Sequence, residues 1–85
     1  MGLDLVEMVV RIEEEFEVRI PDEVAETLLT PRNVVDFLMT QPSIQSISSR
    51  ETVALKLWFV LEDELGIERY LYTEDSRFIQ DMGLD

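Results

Sequence analysis

The rhythm of apolar residues over 2–23 constrains what this chain can fold into more than any other feature. In GLDLVEMVVRIEEEFEVRIPDE, Leu5, Val9, Ile12 and Phe16, with Met8 beside them, recur at the i, i+3/i+4 spacing of one helix face. Asp4, Glu7, Arg11, Glu14 and Glu15 hold the opposite face. The spacing predicts an amphipathic helix from Leu3 to Phe16 with an acidic outer surface. Ile20-Pro21 ends the pattern, because proline restricts the residue before it and suits a first helical turn. Asp22 and Glu23, favourable at a helix N-terminus, then open a short second helix through Leu28. Thr30-Pro31 pairs a capping hydroxyl with proline at the first helical position, and Val34, Val35, Phe37 and Leu38 form the apolar face of a third helix.

Residues 39–49 read as a linker: the run TQPSIQSISS is polar, uncharged and contains Pro42 and four serines. Ser48 followed by Glu51 fits a capping box opening the longest helix. That helix is expected to end near Leu65, where Gly66 can adopt the left-handed conformation and Ile67 supplies the accompanying apolar contact. Residues 68–85 read as loop with one turn around Phe78 and Ile79. No stretch alternates with period two for the length of a strand, so the expected class is all-α, a single domain over 1–85.

Composition narrows the function. Seven cationic residues face nineteen acidic ones, a net charge of −12. That balance disfavours binding to nucleic-acid backbones and adsorption to anionic membranes, and calls for a basic partner held more weakly as salt rises. Cysteine and histidine are absent, which removes disulfides, thiolate nucleophiles, imidazole bases and the usual zinc sites. No Asp-x-Asp-x-Asp-Gly loop suggests calcium, and no metal is expected. Without a carboxylate pair marked by spacing either, the chain is read as no enzyme, with no catalytic residue. No signal peptide or membrane span is legible, and the expected location is the cytoplasm.

Two further runs carry a resemblance. Residues 65–67 read Leu-Gly-Ile, and residues 78–85 read Phe-Ile-Gln-Asp-Met-Gly-Leu-Asp. At the other end of the chain stand Asp4-Leu5-Val6-Glu7-Met8-Val9, Ile12-Glu13-Glu14-Glu15-Phe16 and Ile20-Pro21-Asp22-Glu23, then Thr30 and Val34-Val35-Asp36-Phe37-Leu38. Taken as 53–85 followed by 2–38, these resemble an acyl carrier protein, the phosphopantetheine carrier family. The halves stand in reverse order. The resemblance therefore implies a small four-helix bundle of acyl-carrier-protein type in circularly permuted form. Residues 2–38 would be its second half, 39–49 the joining linker and 50–85 its first half.

The same resemblance locates the family's attachment signature, Asp-Ser-Leu, at the junction of Asp85, Gly2 and Leu3. Gly2 stands at the position of the missing attachment serine, and glycine has no hydroxyl to carry an arm. No cofactor is expected in this form, although phosphopantetheine is the family's. The resemblance further implies docking of basic patches on enzymes of fatty acid or polyketide synthesis by Asp4, Glu7, Glu13 and Glu14. Val6, Met8 and Val9 would add apolar contact or line space for an acyl chain, while the residues taken alone favour ordinary core for all three.

On the long helix, Leu55, Trp58 and Phe59 fall at positions the family commonly fills with charge. Their shared face marks a candidate for self-association, with burial under residues 68–85 as the alternative. A homodimer is thus one expectation, including a domain-swapped one in which 53–85 of one copy packs on 3–38 of another. Two functions remain open: an acyl-carrier-like docking protein, or a non-carrier interaction or self-associating module that retains only the fold.

Overall fold

A computed structural model describes residues 2–85. All regular structure among them is helical: α1 (Leu3–Phe16), α2 (Asp22–Ala25), α3 (Pro31–Leu38), α4 (Pro42–Gln45), α5 (Arg50–Leu65) and a 3-10 turn (Arg69–Leu71). The helix α1 has the predicted bounds and buries Leu5, Met8, Val9, Ile12 and Phe16. It ends on Glu17 in the left-handed region (φ 53°, ψ 48°), a cost a non-glycine residue bears at a tight stop. Glu13 bridges that stop, its carboxylate accepting from the Ile20 N–H at 2.7 Å.

The second helix closes after one turn, short of the expected Leu28. Beyond Ala25 the backbone tightens to i→i−3 bonds, Thr27 N–H to Val24 O at 2.9 Å and Leu28 N–H to Ala25 O at 3.1 Å. The Thr27 hydroxyl also donates to the Val24 carbonyl, at 2.7 Å, occupying an acceptor that a longer helix would use. In α3 the cap follows the sequence: Thr30 Oγ1 accepts from Asn33 N–H, and the Asn33 side chain accepts from Thr30 N–H. Val34, Val35 and Leu38 are fully buried.

Within 39–49 the chain forms the helical turn α4. Pro42 begins it and Ile44, 5% exposed, anchors it to the core. The Ser48 N–H is used by this turn, bonding Ile44 O at 2.9 Å. Ser49 therefore caps α5, accepting from Thr52 N–H at 3.2 Å, one residue later than the expected Ser48–Glu51 box. At the other end Gly66 is left-handed (φ 68°), and Ile67 N–H reaches Leu61 O at 3.2 Å, closing the predicted C-terminal motif.

Helices α1 and α5 pack together, and α5 packs on α3. Their polar seam is Arg11, which reaches Asp63 at 2.8 Å and Glu64 at 3.4 Å on α5 and Glu15 at 3.2 Å on its own helix. The face grouping of Leu55, Trp58 and Phe59 needs correcting. Trp58 is 5% exposed and belongs to the core with Val53, Leu57, Val60 and Leu61, whereas Leu55 and Phe59 remain outside. The segment after Gly66 folds over the indole, placing the Arg69 guanidinium 5.8 Å from its ring centre. Part of the apolar excess of α5 is thus covered by the chain itself.

Residues 72–85 are bound to the bundle at several points. Arg32 forms two hydrogen bonds to the Asp75 carboxylate, at 2.7 and 3.1 Å, and holds it below the usual carboxylate range. The Arg32 N–H donates to Glu74 O, and the Phe78 N–H to Leu29 O. Phe78 is 1% exposed and pins the segment to the core.

Candidate functional site

The site takes shape where the turn after Phe78 meets the head of α1. Arg77 and Asp81 start this turn: the Asp81 carboxylate accepts from the Arg77 N–H at 2.7 Å. The Arg77 guanidinium, and then its N–H, keep that carboxyl below its ordinary pKa. Gly83 ends the turn in the left-handed region (φ 73°), and the Leu84 N–H returns to Phe78 O at 3.0 Å. A side chain at Gly83 would be strained there. Buried Met82 and Leu84 fix the exit direction, which brings Asp85 to α1.

Asp85 caps α1 from the far end of the chain. Its Oδ1 accepts from the Asp4 N–H at 3.2 Å, and its own N–H donates to Asp4 Oδ2 at 3.3 Å. Its main-chain oxygen accepts from the Leu5 N–H at 3.0 Å. If Asp85, Gly2, Leu3, Asp4 and Leu5 are counted as consecutive, these are the reciprocal bonds of a capping box and an i→i+4 helical bond. The spacing requires one residue between Asp85 and Leu3. Gly2 occupies that place.

Gly2 is extended (φ −74°, ψ 173°) rather than helical. A Cβ built on it would collide with the main chain of Asp85. The Asp85 main chain therefore stands about where the residue before Gly2 would in a continuous chain, and glycine has no side-chain oxygen to which an arm could be joined.

Beside Gly2 lies an apolar groove. One part, about 200 Å³, is lined by Leu5, Met8, Val9, Leu28, Leu29 and Ile79, with Gly2 and Asp85 at its edge. An adjoining part of about 250 Å³ shares Leu5, Leu28, Leu29 and Ile79 and continues to Thr30, Phe78 and Arg77. Met8 is 1% exposed and belongs to the groove floor and core, not to an outer docking face. Its i+3 relation to Leu5 and i+4 relation to Ile12 put it on the buried stripe.

The four acids expected on one docking face have different tasks. Glu7 and Glu14 are exposed. Asp4 is engaged with Asp85, and Glu13 with the Ile20 N–H. Val6 is 40% exposed and is joined by Leu3 and Val10, at 69% and 46%. Leu3, Val6, Val10 and the interleaved Glu7 and Glu14 follow helical spacing along one side of α1. Val10 was legible as part of this stripe, three and four residues from Glu7 and Val6. Leu29 and Ile79, exposed at the groove rim, lie in loops and carried no periodic signal.

Among the described residues no group of carboxylates is arranged to hold a metal ion. No helix there is long and apolar enough to cross a membrane.

The family described as "Phosphopantetheine attachment site" matches residues 3–38, starting directly after Gly2. The chain is 56% identical over 37 residues to the acyl carrier protein of Thermosynechococcus vestitus, covering 44% of this chain and 46% of that protein. It is 48% identical over 41 residues to the mitochondrial acyl carrier protein of Saccharomyces cerevisiae, covering 48% of this chain and 33% of that one. The chain thus spans between a third and a half of the length of these relatives. No solved structure matches. Residues 3–38 are thus similar to the phosphopantetheine-attachment family, and about half of the chain is similar to acyl carrier proteins.

Proposed function

We propose that this chain is a docking protein of acyl-carrier type in circularly permuted order, acidic and non-enzymatic, that carries no covalent phosphopantetheine. The observation that supports it best is the helical bond from Leu5 N–H to Asp85 O, in register across Gly2. Residues 50–85 then supply the first half of the carrier fold and 2–38 the second, with 39–49 joining them. The missing hydroxyl at Gly2 supports the lack of an arm.

The exposed side of α1 provides the docking surface. Glu7 and Glu14 steer a basic patch of an acyl-chain-processing enzyme, of fatty acid or polyketide synthesis, while Leu3, Val6 and Val10 meet its apolar surroundings. Exposed pairs contribute only ~0–1 kcal/mol each, so such contacts favour rapid, reversible encounter over a lasting complex. Asp4 and Glu13 act indirectly, one capping the helix and the other fixing its end.

Incubation with a phosphopantetheinyl transferase and coenzyme A, followed by intact-mass spectrometry, tests this reading. No mass gain is expected for this chain. A chain rewritten as 50–85, serine, 3–38 is expected to gain one arm at that serine. An arm on any residue of the present chain, or none on the rewritten one when it folds, overturns the reading.

A further inference from the structure

The helix α5 carries large apolar side chains toward solvent as well as toward the core. Leu55 and Phe59, one turn apart, are 56% and 58% exposed. Along the same side the next position is Glu62, which borders an open concavity with Gly66, Ile67 and Tyr70. Tyr70 is 82% exposed. Leu55 and Phe59 thus form an exposed apolar pair on α5, with Glu62 next on that side and Tyr70 in the concavity beyond it, and none of the residues lining the groove near Gly2 is among them.

The charges around this pair are mostly of one sign. Glu51, Glu62, Asp63 and Glu68 are all exposed. The neighbouring cations are engaged within the chain: Lys56 Nζ lies 5.1 Å from the Phe16 ring centre, Arg69 lies over Trp58, and Arg11 pairs with Asp63. An apolar pair with an acidic rim complements a helix with apolar residues at i, i+4 and lysine or arginine on its flanks. A second copy complements it poorly. Each chain brings a net charge of −12, and a two-fold contact would bring acidic rims against each other.

We propose that the exposed Leu55–Phe59 pair of α5 docks a basic amphipathic helix of a partner protein, at a surface separate from the α1 face and independent of whether Gly2 can be loaded. Leu55 and Phe59 are the apolar anchors. Glu51, Glu62 and Glu68 set the charge preference and the orientation.

The test uses a synthetic peptide with leucines at a and d heptad positions and lysines elsewhere, beside a scrambled peptide of equal composition and charge. Calorimetric titration against the full chain is expected to show tighter binding of the amphipathic peptide, weakening from 50 to 500 mM salt. A Leu55→Ser/Phe59→Ser double variant is expected to lose about tenfold or more in affinity. Ile47→Ser, which changes another exposed apolar residue (82%), is expected to change it less than about twofold. Thermal melts of the variants check that the fold persists.

Equal affinity for the scrambled peptide, or absence of binding, overturns the proposal. So does an amide-shift footprint on α1 around Glu7 and Glu14 instead of α5. A wild-type dimer in sedimentation that the double variant disperses would show a second copy to be the occupant, and would refute the basic-partner assignment.

Discussion

Replacing Asp85 by Ala tests whether α1 is capped from the opposite end of the chain. The substitution removes the acceptor for the Asp4 N–H, at 3.2 Å, and a negative charge at the positive end of the helix dipole. It leaves the main-chain bond to Leu5 N–H in place. Loss of an N-cap side chain costs about 0.5–2 kcal/mol. The 3.2 Å length is at the long end for an N–H···O bond and Asp85 is exposed, so the lower half of that range, about 0.5–1 kcal/mol, is expected. For a domain of this size each kcal/mol moves the midpoint by about 4–8 °C, giving a fall of about 2–8 °C. Circular dichroism melts and urea titrations at neutral pH measure it, with Asp85→Asn as the control that retains an acceptor. Asn should recover most of the loss, since Asn and Asp are comparable caps. Asp85→Ala melting within a degree of wild type would refute the capping argument. So would an Asp85→Asn variant as unstable as the Ala variant, because charge rather than the hydrogen bond would then be responsible.

Two more predictions concern the packing and the ion pairs. Trp58→Ala should lose about 3–5 kcal/mol in urea unfolding, while its exposed neighbour in Phe59→Ser changes stability by no more than about 0.5 kcal/mol; equal losses would mean that the face of α5 is assigned wrongly. Asp75 and Asp81 have folded pKa values depressed by Arg32 and Arg77, so their stabilisation is fully present above the unfolded carboxylate value of about 3.9 and is lost as pH falls through the lower folded values. The stability difference between wild type and Asp75→Asn should therefore be the same at pH 7 and pH 5.5 and shrink only below about pH 4; a difference that disappears between pH 7 and 5.5 would contradict the pairing with Arg32.

Most of the helical content was legible because it depends on local periodicity and local caps. The bounds of α1 followed from apolar spacing, the start of α3 from Thr30-Pro31, and the end of α5 from Gly66. The departures arose where neighbouring backbone groups competed for the same partners. Ser48 and Ser49 are equally good caps by residue type; the Ile44 carbonyl took the Ser48 N–H and left the cap to Ser49. Thr27 resembles an ordinary helix residue in the sequence, but its hydroxyl bonds Val24 O where α2 stops. The turn α4 was hidden in a polar run because the run's two isoleucines part company: Ile44 is buried while Ile47, three residues on, is 82% exposed, so their spacing marks no core face.

The candidate site divides in the same way. Sequence alone determined that the chain is helical and strongly acidic, and that it has no thiol or imidazole. It also determined that Gly2 offers no hydroxyl. These follow from residue identity and from spacing along one helix, which no folding can alter. Tertiary structure decided that Asp85 caps α1, that Met8 and Trp58 are core, and that only Glu7 and Glu14 of the four expected docking acids are unengaged. It also decided that Leu55 and Phe59 remain uncovered. Each of those depends on which side of an element meets a partner more than fifty residues away or a loop with no periodic signal, and helical spacing can define a face without saying what that face will touch.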